Sequence, residues 1–267
     1  MKSQRRFANF LGKFFIFLLV GGLAAAPVAL LVPWSFAEGW RFPALLPSGY
    51  GLRAWRYALS PSAGVADALA RSALIATGVT TLALAVATPA ARALAFYDFR
   101  GKKFLFFLLL LPLLSPSFVM AVSGHALFLR YGLTDSWFGV GLSHLIPTVP
   151  YATLTLVGGF SKLDRDLEAQ ARTLGASLLS VWRYVTVPAI APALAVAASF
   201  AFLISWGQYL TTLLIGGGGV ITLPMLLVAF QRGGDEAVTA ALTLIFIAPT
   251  PLAFLAAAKS LTTRTAR

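Results

Sequence analysis

The sequence predicts an all-α fold: a polytopic transmembrane helical bundle with six spans. Its composition, its mean hydropathy and the spacing of its charges all point there. Of 267 residues, 58% are hydrophobic and only 11% charged, and mean hydropathy is +0.82. A water-soluble domain carries about 25% charged residues, so this chain has too little polar surface to wet its outside. Its charges also cluster, leaving uncharged windows at residues 14–37, 72–91, 104–129, 136–161, 184–231 and 237–258.

A helix crosses the hydrocarbon layer with about 20 apolar residues at a rise of 1.5 Å each. Each window is long enough, so spans are expected at about 12–36, 70–95, 104–130, 138–160, 189–215 and 237–259. The first window also holds small residues, "LAAAPVA", that suit a signal-peptide cleavage site, but its length favours a retained span. Pro112 and Pro116 predict a kink in the third span, and Pro147 and Pro150 one in the fourth. The long fifth window is interrupted by "GGGGVITLP" (216–224), so it holds one span followed by a re-entrant or outer loop. With no cysteine in the chain, disulfides and thiolate metal ligands are excluded.

A net charge of +12 invites a nucleic-acid reading, but the placement of the charge argues otherwise. With six spans, one set of loops holds Lys2, Arg5, Arg6, Lys13, Arg92, Arg100, Lys102, Lys103, Lys162, Arg165, Arg172, Arg183, Lys259, Arg264 and Arg267. The other set holds only Arg41, Arg53, Arg56, Arg71, Arg130 and Arg232. Basic residues stay on the cytoplasmic side during insertion. Both termini and the loop 161–188 are therefore expected in the cytoplasm, and the basic excess reflects topology rather than nucleic-acid binding.

That loop is unlike the rest of the chain. Leu163, Leu167, Ala171, Leu174 and Leu178 draw one apolar stripe at helical spacing. Glu168 precedes Arg172 by four residues, a favourable helical ion pair, and Lys162 and Asp166 share that spacing in the weaker order. Gly175 allows a turn or a close backbone approach, a second short helix is expected over Leu178–Val185, and Pro188 suits the first turn of the next span. Such a segment either lies along the membrane surface or offers a short helix to a groove on a soluble partner. The spacing of Gly175 from Val185, Val187 and Pro188, Gly-x9-hydrophobic-x-hydrophobic-Pro, favours the partner.

The run "LEAQARTLGAS…VTVPAI" resembles the EAA loop of permease subunits of binding-protein-dependent ABC importers, whose pattern is Glu-Ala-Ala-x3-Gly-x9-Ile-x-Leu-Pro. Gly175 and Pro188 match, and Val185 and Val187 are mild substitutions. The Glu-Ala-Ala falls on Ala169, Gln170 and Ala171, so the strict glutamate is absent and Glu168 stands one place earlier. "LPSGYGLRAWRYAL" and "SWGQYLTTLLIGGGGVITLP" resemble the first outer loop and the fifth helix of such subunits, nearest the spermidine/putrescine-type branch, which also includes relatives handling iron, thiamine and phosphonates. The resemblance implies a type I importer permease architecture in the bacterial inner membrane and a coupling role for Asp166, Glu168, Ala169, Gln170, Ala171, Arg172, Leu174, Gly175, Ala176, Val185 and Pro188. It also implies partners: two copies of an ATP-binding subunit carrying ATP and Mg, a second permease that is a related but different chain, an extracytoplasmic solute-binding protein, and membrane lipid. The chain itself is expected to bind no cofactor and no metal and to catalyse nothing. Consistently, it contains no Gly-x4-Gly-Lys-Ser/Thr to cradle ATP phosphates.

Polar groups inside the windows are the candidates for the solute pathway, because polar side chains in lipid must face protein or a cavity. They are Ser117, His144, Tyr151, Ser205, Trp206, Gln208 and Tyr209. Helix packing is the competing role for each, as it is for Ser115, Ser123 and His125. An ion-coupled secondary transporter acting alone is the alternative function. Such proteins place polar or acidic ligands near the midplane of internal repeats, and no Asp or Glu lies in any window here.

Overall fold

The computed structural model describes residues 21–23, 25–40, 44 and 46–265. The amino-terminal charges, the start of the first expected span, Arg41 and Arg267 lie outside the described residues. In chain order the helices are α1 (Gly21–Trp34), α2 (Arg53–Ala58), α3 (Val65–Phe96), α4 (Lys102–Leu114), α5 (Ser117–Arg130), α6 (Trp137–Phe160), α7 (Arg165–Thr173), α8 (Leu178–Val181), α9 (Val187–Trp206), α10 (Leu210–Ile215), α11 (Leu223–Arg232), α12 (Glu236–Ile247) and α13 (Pro249–Thr265). The all-α expectation has one small exception. Strands β1 (Ala37–Glu38) and β2 (Gly49–Tyr50) form an antiparallel pair, with Ala37 opposite Tyr50.

Among the described residues, four helical runs are long and apolar enough to cross a membrane: Val65–Phe96, Trp137–Phe160, Leu178–Trp206 and Glu236–Ser260. A fifth follows if the bent pair α4–α5 counts as one span. The chain divides into two compact units, residues 1–65 with 227–247, and residues 66–226 with 248–267.

In the first unit, α2 packs on α12. Aromatic contacts knit this unit together. Trp34 meets Trp40 edge-on at 5.0 Å, Tyr57 meets Phe230 at 5.7 Å, and the indole of Trp55 donates to Ser35 Oγ at 3.1 Å.

In the second unit, the pair α6–α9 forms the centre, with α3 alongside. Ala87 and Ala91 of α3 meet Leu156 and Phe160 of α6 and Ile190 and Ala197 of α9, all fully buried. Small side chains let membrane helices approach closely. Gly159 shows it most directly, since a Cβ there would collide with Ala193 of α9.

The prolines of the third and fourth expected spans behave differently. The stretch expected as the third span turns through 105° between α4 and α5. Ser115 is extended (φ −85°, ψ 137°), as steric pressure from the following proline favours, and Pro116 continues extended (φ −57°, ψ 132°) before α5 begins. By contrast, α6 runs helically through both Pro147 and Pro150. Its flanking residues Thr148, Ala152 and Thr153 are fully buried, so packing overrides the local penalty. The fifth expected span is interrupted at Gly207–Tyr209, between α9 and α10. The loop expected after it begins as a glycine turn but then forms α11, with the backbone N–H of Leu223 donating to Ser72 Oγ at 2.8 Å.

Candidate functional site

The segment 161–188 is two short helices joined by a glycine turn, then a π-helical turn. Asp164 starts α7, its carboxylate accepting from the Asp166 N–H at 3.0 Å. The helix ends in a Schellman motif. The N–H of Ala176 donates to Ala171 O and that of Gly175 to Arg172 O, both at 3.0 Å, with Gly175 at φ +88°. A Cβ on Gly175 would meet nothing within 4 Å. The turn geometry, rather than crowding, requires glycine there.

From Leu178 the helix continues into α9, widened at Trp182–Thr186, where the Val187 N–H reaches back five residues to Trp182 O. Pro188 lacks an N–H, and its ring would collide with the carbonyl four residues earlier in a regular helix. The wide turn absorbs that conflict. The second short helix is thus not separate from the span, as its sequence suggested, but a continuous extension of it.

The expected apolar stripe is split. Leu163 is buried and Ala171 half-buried, but Leu167 is 45% exposed, Leu174 88% and Leu178 66%, with Leu179 at 78% beside them. Asp166, Ala169, Gln170, Arg172 and Pro188 are exposed, while Glu168, Ala176 and Val185 are half-buried.

Neither expected helical ion pair forms. Among the described residues, Lys162, Asp166 and Arg172 take part in no ion pair, and Glu168 pairs instead with Arg92 of α3. An exposed pair four residues apart contributes only about 0.2–0.5 kcal/mol, less than Glu168 gains by turning toward a half-buried guanidinium. Arg92, Thr186 and Trp182 were not singled out by sequence reading. The only hint was a cation at the very end of an apolar window.

The second candidate region lies where α6 meets α9 and α10. His144, 1% exposed, sits between Ser205 (Nδ1 to Oγ, 2.9 Å) and Thr212 (Nε2 to Oγ1, 3.0 Å). The Thr212 hydroxyl already donates to Gln208 O at 2.9 Å. Nε2 therefore carries the proton and donates to Thr212, while Ser205 donates to Nδ1. The histidine clasps together the two helices on either side of the break at Gly207–Tyr209.

Nearby, Ser117 and Gln208 line a cavity of about 90 Å³. Ser115, Ser143 and Thr211 line it as well, with Met120 among the apolar walls. The Thr211 hydroxyl donates to Gln208 Oε1 at 2.6 Å. Of the other pathway candidates, Trp206 is buried and stacked on Phe202 at 5.6 Å, Tyr151 is exposed on α6, and none of His144, Tyr151, Ser205, Trp206 and Tyr209 lines this cavity. Ser143 and Thr211 went unrecognised because lone hydroxyls are common at helix contacts.

In the first unit, Arg53 donates two hydrogen bonds to Asp235, at 2.8 and 3.0 Å. These bonds hold the Asp235 carboxyl below the usual carboxylate range, against the opposing pull of burial, with the Val238 N–H adding to the effect. A depressed carboxyl contributes stability that is present above its unfolded value of about 3.9 and lost as pH falls through the lower folded value. Both partners are substantially exposed, so the contribution is about 0–1 kcal/mol. Asp235→Asn should lower the thermal midpoint slightly at pH 7, with the difference from the parent vanishing in acid. A difference that grew on acidification would contradict this.

Residues 73–264 match the family described as binding-protein-dependent transport system inner membrane component. The chain is 29% identical over 238 residues to the spermidine/putrescine transport system permease protein PotC of Haemophilus influenzae, covering 89% of this chain and 91% of that one. It is also 29% identical over 239 residues to the putrescine transport system permease protein PotI of Escherichia coli, covering 86% and 84%. The fold resembles a chain in the crystal structure of a bacterial ABC transporter involved in import of the acidic polysaccharide alginate. There the TM-score is 0.70 at 18% identity, with 97% of this chain and 98% of that chain covered. The chain therefore belongs to the inner-membrane components of binding-protein-dependent transport systems, as a permease subunit of an ABC importer and not an enzyme.

Proposed function

We propose that this permease forms half of a solute pathway and is driven by a separate ATPase through the segment 161–188. Two copies of the ATP-binding subunit, which carry ATP and Mg, serve a pair of permeases, this chain and a related but different one. An extracytoplasmic binding protein delivers the solute, in keeping with the family's description. The solute is a small polyamine-type cation, the class named for the two relatives at 29% identity. The chain crosses the membrane six times with both termini in the cytoplasm, in keeping with 15 basic residues in one set of loops against 6 in the other. The neutral hydroxyl and amide cavity around Ser117 and Gln208 is part of the route.

The observation that carries the coupling reading is the exposure of Leu167, Leu174, Leu178 and Leu179 on either side of the Gly175 turn. Leu167 and Leu174 are large apolar side chains left uncovered on a charged segment, and Leu178 and Leu179 are uncovered at the very start of the apolar run that follows. Uncovered apolar surface next to charge marks interaction sites. The chain has no cysteine, so Leu174→Cys introduces a single label site. In sealed cells an impermeant maleimide should label it only after the cytoplasmic side is opened, and assembled ATPase should shield it. Labelling from outside, or equal labelling with and without ATPase, would refute the reading.

A further inference from the structure

The carboxylate of Glu168 is turned toward α3 and the π-helical turn ahead of α9. Its side chain is only 13% exposed. Oε2 accepts from Arg92 Nη2 at 2.5 Å, and Oε1 accepts from the Thr186 hydroxyl at 2.6 Å. Thr186 is fully buried. One carboxylate therefore bridges the end of α3, the coupling helix α7 and the π-helical turn that leads into α9. The Arg92 guanidinium is packed by aromatic rings, 5.6 Å from the centroid of Phe96 and 5.5 Å from that of Trp182. Its Nε is buried without an acceptor. A cation so enclosed depends heavily on its one carboxylate, since removing a partner from a shielded ion pair leaves charge uncompensated. Arg165 adds a second tie between α7 and α3, donating to Phe96 O at 3.3 Å.

We infer that Glu168 is a positioning residue which, with Arg92 and Thr186, fixes α7 to two spans at once and passes its displacement to both. The inference rests on the proposed docking of α7 to an ATPase, but gives the carboxylate a different task from the leucines. The leucines meet the partner. The Arg92–Glu168–Thr186 joint makes the partner's motion reach the membrane helices. It also gives a carboxylate role to position 168 in a chain whose position 169 is an exposed alanine.

The test uses the full transporter, purified through a tag on this chain and reconstituted in vesicles. It measures co-purified ATPase, ATP hydrolysis and solute uptake. Glu168→Gln and Thr186→Val should each retain the ATPase yet lower uptake per ATP hydrolysed about tenfold, within the usual range of coupling between sites. Thr186→Ser, which keeps the hydroxyl, should preserve the parental ratio and guards against a folding defect in the valine variant. Thr186 is buried and cannot touch a partner, so a defect shared with Glu168→Gln points to the joint. The inference is overturned if Glu168→Gln loses ATPase in step with uptake while Thr186→Val behaves as the parent, or if both variants keep the parental ratio. Leu174→Asp reports separately on docking. ATPase retained at the parental level in that variant would overturn the docking reading, whatever the joint variants show.

Discussion

Replacing Gly175 with proline should strip the ATPase from the purified transporter by more than about tenfold while the chain still inserts at its normal level. Proline is locked near φ −65°, and its misfit in place of a required backbone geometry costs ~3 kcal/mol or more. Gly175 stands at φ +88° and donates to Arg172 O, so the variant loses both the turn and the hydrogen bond. The Schellman closure of α7 would then fail, and with it the turn that sets α7 against α8. Alanine keeps the N–H and has room for its Cβ, so it faces only the left-handed penalty of about 1–2 kcal/mol. Gly175→Ala should therefore fall between the parent and the proline variant. Co-purification quantified against permease content decides the matter. Undiminished ATPase on Gly175→Pro would separate the turn from partner binding altogether.

His144→Leu should cost the assembled protein about 2–6 kcal/mol, because leaving a buried donor or acceptor unsatisfied costs roughly 1–3 kcal/mol apiece. The substitution removes the acceptor for Ser205 and the donor to Thr212 and unfastens α9 from α10. A lower thermal midpoint and reduced uptake, with ATPase still bound, are the expected results. His144→Gln, able to rebuild one of the two contacts, should recover part of both. An unchanged midpoint in the leucine variant would mean the clasp adds nothing to stability.

The pattern of what sequence could reveal follows from the range of the forces involved. Apolar windows marked the long helices because hydrophobic length is a local property, and α3 and α6 end within a few residues of the spans expected at 70–95 and 138–160. Gly175 was legible because a positive φ restricts one residue regardless of its surroundings. Proline was legible only in part. The helix breaks at Pro116, whereas Pro147 and Pro150 leave α6 intact, since that outcome depends on neighbours packed from α9. The partner of Glu168 was not legible at all. A four-residue rule pointed to Arg172, but the guanidinium it meets lies 76 positions upstream, where only folding could bring it. Ser143 and Thr211, which line one cavity with Ser117 and Gln208, carry no mark in the sequence: the Ser143 hydroxyl bonds Val140 O on its own helix and that of Thr211 bonds Gln208 Oε1 three residues away, and only folding brings them to the cavity.

The unbroken helix from Leu178 to Trp206 has a geometric corollary. Its 29 residues make a rod of roughly 43 Å at the ordinary helical rise. Pivoting such a rod at one tip carries the opposite tip through an arc of about 0.7 Å per degree, so a few degrees of rocking amount to the radius of a water molecule or more. Because the widened turn beside Pro188 keeps the rod whole, a small nudge at Leu178 arrives undissipated at Gly207, where the helix ends and His144 carries the load across to α10.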